Sequence, residues 1–132
     1  MRRYVPINHD LALLLLRLVL AAVLLYHGWP KLIGFRGTVA FFQSNGIPAP
    51  ALSAAFATLA EVGGGLLMLI GVATDIAGLL IALNMIGAIV TVHWAPGFDF
   101  TKGGWEHPFT VLGIAVAVAL SGPGSFAAGR KS

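Results

Sequence analysis

Apolar residues run almost unbroken through four stretches of this chain, about 11–31, 51–71, 76–94 and 105–121, and polar or turn-forming residues fill the intervals. Runs of about twenty apolar residues have the length of helices that cross a bilayer at roughly 1.5 Å per residue. The purely apolar part of the fourth run is shorter than a full crossing usually takes. Between the first two runs Phe35, Val39 and Phe42 recur at spacings of four and three, the period of a short helix lying in the membrane interface. Ser44, Asn45, Gly46, Pro48 and Pro50 then turn the chain back. Residues 72–75 leave room only for a tight hairpin, and residues 95–104 read as a loop by their prolines, glycines and charges. The pattern predicts an all-α membrane protein. Its architecture is a four-transmembrane-helix bundle, with a short interfacial helix between spans 1 and 2, in one domain over 1–132.

Composition narrows the chemistry. Of 132 residues, 58% are hydrophobic and 10% charged, and none is cysteine. Disulfides, thiol relays and thiolate metal sites are therefore excluded, so any redox chemistry must carry electrons on another group. The net charge of +3 comes from basic residues at the ends of the apolar runs rather than from one patch. That fits anchoring to lipid headgroups and not nucleic acid. Arg2 and Arg3 before an apolar run also describe a signal peptide, but further spans follow, so a retained anchor is expected. With both termini in the cytoplasm, Arg2, Arg3, Arg130 and Lys131 stand against Lys31, Arg36 and Lys102 on the far side. Four against three gives that orientation a slim margin.

The polar residues inside the apolar runs carry the candidate chemistry. Glu61 lies ten residues from Ala51 and from Gly71, about 15 Å deep, where a carboxylate facing lipid is costly. Ala54, Ala57, Thr58, Glu61, Gly64 and Gly65 share one side of the helix, a small-residue seam that turns Glu61 towards protein. Gly63–Gly65 thus reads as a packing surface, not a phosphate loop. Arg17 and Asn84 fall at similar depth, seven residues past Asp10 and eight past Ile76. The expectation is a buried Arg17–Glu61–Asn84 network, acting either as an ion pair that fixes helix order or as a proton or ligand site.

A second cluster is expected at the outer ends of the helices: His27 and Lys31, His93 and Trp94, then Trp105, Glu106 and His107. Imidazoles, a carboxylate and an ammonium among indoles suit proton exchange or hydrogen bonding to the carbonyls of a quinone. The plainer alternative is a belt of interfacial tryptophans beside a snorkelling lysine. His27 and His93 are also of the type that ligates haem from separate helices, but no second histidine pair or attachment motif supports haem. No metal site is expected.

The order of these residues resembles the DoxX family of small four-span bacterial membrane proteins. The resemblance rests on Leu16-Arg17-Leu18, His27-Gly28 with Lys31, Phe41-Phe42 before Gly46-Ile47-Pro48, Glu61 with its glycines, Asn84-Met85, Thr91-Val92-His93 and Gly103-Gly104-Trp105-Glu106. It implies a place in the bacterial cytoplasmic (inner) membrane and a part in quinone-linked or oxidative-stress redox chemistry, since family members commonly carry oxidoreductase names. Candidate partners are then the bilayer, a soluble redox or stress enzyme and a second copy in a homo-oligomer. A non-catalytic scaffold for a soluble enzyme, or a small proton-coupled transporter, remains as an alternative.

Overall fold

Helix α1, His9–Ile33, starts where the Asn8 side chain accepts the Leu11 N–H at 3.0 Å, satisfying one of the free donors of a first helical turn. It continues through Pro30 and ends at Gly34. The computed structural model describes residues 1–129. Arg130 and Lys131, used above to orient the chain, lie outside the described residues. The short helix expected near Phe35 is α2, Phe35–Ser44, with Phe35, Val39 and Phe42 half-buried and the helix packed on the start of the next one.

Helix α3, Pro50–Ile70, opens with proline in its first turn, where the missing N–H has no partner to lose. Gly71 closes it in the left-handed region, φ 75°, a conformation that glycine adopts without strain. Helix α4 covers Thr74–His93 and helix α5 Glu106–Ser121, with a single 3₁₀ turn at Phe100–Lys102 between them. All regular elements among the described residues are helical. Of these, α1, α3 and α4 are long and apolar enough to cross a membrane, and α5 is a shorter apolar helix of 16 residues.

Two π-helical turns interrupt the regular winding, Leu59–Gly63 in α3 and Ile89–His93 at the end of α4. Each inserts an extra residue and shifts the helix face, a feature frequent at functional sites. Neither shows in the hydrophobic pattern.

Close approach through small residues sets the helix order. A Cβ on Gly78 would lie 2.6 Å from the Ala115 carbonyl oxygen, one on Gly64 2.9 Å from Ile81, and one on Gly65 3.0 Å from Leu25. These contacts seat α4 on α5, α3 on α4 and α3 on α1, around a core that includes Leu20, Leu24, Met68, Ile81 and Val118. The seam read from the sequence is the packing surface. Contact between α3 and α4 comes chiefly from Leu59–Gly63 and Gly64–Ile70, while Pro50–Thr58 leans on α1 and α2. The upper halves of α3 and α4 therefore diverge.

Candidate functional site

The divergence opens a cavity of about 950 Å³ between α1, α2, α3, α4 and the start of α5. Its walls are mostly aliphatic and aromatic, and its polar groups are few: the Ser53 and Thr91 hydroxyls, each bonded to a carbonyl of its own segment, and His27, Lys31, Glu61, Asn84, His93 and His107. Pockets that hold small organic ligands have this constitution.

Glu61 is the most deeply placed of these groups, 4% exposed, and its Oε1 lies 2.7 Å from Nζ of Lys31. Gly28 makes this meeting possible. A Cβ there would fall 2.8 Å from Cβ of Glu61 and 3.0 Å from the Val62 backbone nitrogen, so only glycine lets α1 lie against the π turn. One turn further on, Lys31 reaches back across to the carboxylate. Its ammonium also donates to the His27 carbonyl oxygen at 3.3 Å, which leaves one of its three N–H donors for a ligand.

His93 ends the second π turn, with Nδ1 2.8 Å from the Gly103 carbonyl oxygen. A carbonyl can only accept, so Nδ1 carries the hydrogen. In the neutral ring Nε2 is then a free acceptor. The rings of His27 and His107 pack with centroids 4.9 Å apart, tilted at 45°. Among the described residues no hydrogen bond engages either ring or the Asn84 amide, so all three line the cavity with polar capacity to spare.

The structure corrects two groupings expected from the sequence. Arg17 does not pair with Glu61. It is 1% exposed and donates from Nε to the Met68 carbonyl at 3.1 Å, from Nη1 to those of Pro123 and Phe126 at 3.0 Å, and from Nη2 to Phe126 at 3.1 Å. The reason is register: Gly28 fixes Glu61 eleven residues further along α1 than Arg17, about 16 Å away. Arg17 instead satisfies a carbonyl at the open end of α3 and ties down the segment after α5. There Ala128 and Gly129 donate to the carbonyls of Ile70 and Gly71, and Ser125 donates to the Asp10 carboxylate. Asn84 shares the cavity with Glu61, not the neighbourhood of Arg17.

The outer cluster divides likewise. His27, Lys31, His93 and His107 meet in the cavity, but Trp105 and Glu106 do not line it. The Glu106 carboxylate accepts the Phe100 N–H at 3.2 Å, and the Trp105 indole stacks on Trp94, centroids 5.9 Å apart, with Phe98 and Phe109 at its edges. Both shape the loop at residues 95–104, which carries the Gly103 carbonyl to His93. In that loop Asp99 accepts from the Thr101 hydroxyl and N–H at 2.8 and 2.9 Å, which holds its carboxyl below the ordinary aspartate range. Phe41, Phe42, Ile47 and Pro48 also line the cavity, a role their turn and interface signals did not suggest.

Long apolar helices around a cavity with buried charge define an integral membrane protein. The profile of the DoxX family matches residues 12–94, and the chain belongs to that family. It is 36% identical to "Putative oxidoreductase CatD" of Bacillus subtilis over 115 residues, 87% of this chain and 82% of that one. It is 29% identical to "Inner membrane protein YphA" of Escherichia coli, covering 90% and 89% of the two chains, and 27% identical to "Inner membrane protein YqjF" of the same organism, covering 92% of each. No solved structure matches the chain.

Proposed function

We propose that this protein is a four-span component of the bacterial inner membrane, both termini cytoplasmic, that binds the head group of a quinone as part of a redox or oxidative-stress system. The observation that carries this reading is the cavity, aliphatic and aromatic over most of its wall, with a hydrogen-bond donor and an acceptor at its polar end. The free N–H of Lys31 suits a quinone carbonyl oxygen, and Nε2 of His93 suits the hydroxyl of the reduced form. Glu61 holds the Lys31 side chain in place. His27 and His107 supply imidazoles for proton exchange. Electrons come from a separate donor, because the chain has no cysteine. The name of the Bacillus relative agrees with such a role.

The test is quinone retention. Protein purified in mild detergent is extracted with organic solvent and its quinone measured per chain, for the wild type and for His93→Phe and Asn84→Leu. The wild type should retain quinone well above the level of a control membrane protein, and His93→Phe should lower it about ten-fold, the loss of one good hydrogen bond to a ligand. A wild type with no more quinone than the control, or variants that retain as much as the wild type, would overturn the proposal.

A further inference from the structure

The cavity has a side that faces the membrane interior. Leu52 and Leu59 of α3 line it from one edge and Leu83 and Gly87 of α4 from the other, yet Leu52 is 73%, Leu59 65% and Leu83 51% exposed. The same cavity reaches Met85, 6% exposed, and Glu61, 4% exposed. It therefore runs without interruption from the outer face of two helices to the ion pair. Leu59 and Leu83 each stand nine residues from the start of their helix, about 14 Å along it. In a spanning helix that is the hydrocarbon layer. An opening rimmed by leucines at this depth faces lipid tails, not water.

We infer that the cavity is filled sideways from the bilayer, through the gap between Leu52–Leu59 and Leu83–Gly87, by a lipid-dissolved molecule with one oxygen-bearing head and one apolar tail. The inference rests on the proposal that the cavity holds a ligand, and adds the route and the shape of that ligand. The head reaches Lys31 and His93, and the tail stays in the gap. Leu83 and His93 are ten residues apart on α4, so head and tail extend over roughly 15 Å. The wall supports this polarity: the charged and imidazole groups lie deep in the cavity or at its far end, and among the described residues the gap carries no charged group, its only polar lining residues being Ser53 and Asn84. A head carrying a fixed charge is disfavoured on this route, because it would cross hydrocarbon to enter.

Gly87 offers the test. A Cβ added there meets nothing within 4 Å, and the same is true of Gly113 on α5, which does not line the cavity. Gly87→Trp adds an indole at the edge of the gap from a Cβ position that meets nothing, and Gly113→Trp, with the same open Cβ position, serves as its control. Proteoliposomes are irradiated with two probes: an isoprenoid benzoquinone with a diazirine in its tail, and a long-chain alcohol with a diazirine mid-chain. Labelled peptides are mapped by mass spectrometry.

Both probes should label the rim at Leu52, Leu59, Leu83 and Gly87 and also the inner wall at Met85. Gly87→Trp should reduce labelling at Met85 at least five-fold, and Gly113→Trp should leave it unchanged. Labelling by the alcohol alone supports the side entry and removes quinone as the ligand. Failure of both probes to reach Met85, or labelling there that Gly87→Trp leaves unchanged, overturns the side entry. Quinone retention in detergent, measured separately, would then still stand or fall alone.

Discussion

The Lys31 ammonium and the Glu61 carboxylate meet at 2.7 Å although thirty residues separate them, and they meet unequally: the lysine side chain is 30% exposed, the glutamate 6%. Removing either partner leaves the other unpaired, but only the glutamate would be stranded away from water. Lys31→Met should therefore cost more than Glu61→Gln, about 3–5 kcal/mol against about 1–3, with the smaller figure reflecting the solvent still open to Lys31. The double variant should recover part of the loss. Unfolding of the four proteins in mixed micelles, taken as a double-mutant cycle, checks the order; equal costs for the two single changes would refute it.

Gly28 makes that pair. An alanine there places its Cβ against backbone as well as side chain of the π turn, and backbone does not yield cheaply. Gly28→Ala should destabilise by about 1–3 kcal/mol through overpacking and should move Lys31 away from Glu61. Gly87→Ala, with open space around it, should be neutral or gain up to about 1 kcal/mol. The difference in melting temperature between the two alanine variants measures the effect.

Arg17 joins the end of α3 to the segment after α5 through four hydrogen bonds to three carbonyl oxygens. Lysine offers no planar fork with which to span them. Arg17→Lys should lose about 1–3 kcal/mol, the cost of a buried polar group left unpaired. The local signature is sharper than the global one. Hydrogen exchange at Ala128 and Gly129, which donate to Ile70 and Gly71, should accelerate at least ten-fold while exchange in the core around Leu24 stays slow.

Asp99 gives the loop that holds His93 a dependence on acid. Its carboxyl is lowered by the Thr101 hydroxyl and N–H, so the folded loop favours the ionised form. That contribution is complete above the ordinary aspartate range and is lost as pH falls through the lowered value. Exchange of the Thr101 amide, corrected for intrinsic rate, should rise on acidification in the wild type and lose this pH dependence in Asp99→Asn.

Much of the fold was legible because the bilayer imposes a length on apolar runs. The expected first and second spans, about 11–31 and 51–71, lie within α1 and α3, give or take a residue at their ends, and α2 sits where Phe35, Val39 and Phe42 put it. Of the glycines beside Glu61, Gly64 and Gly65 read correctly as a packing surface, whereas Gly63 meets only Leu59 of its own helix. The cavity was legible only in part. His27, Lys31 and His93 belong to it as a cluster of helix ends suggests, whereas Glu106 and Trp105 turn to the loop instead.

What the sequence by itself determined is which segments are helical and apolar, which residues are expensive to bury, and the family to which the chain belongs. Those follow from local composition and order. Which costly residue meets which was decided by tertiary structure alone. Arg17 and Glu61 have similar depth when each is counted from the nearest helix end, yet the contact of Gly28 with Glu61 slides the helices until Glu61 faces Lys31 and Arg17 faces the carbonyls of Met68, Pro123 and Phe126. Register between helices depends on a few atoms of side-chain volume at the crossing point, and hydropathy along one chain contains no term for it.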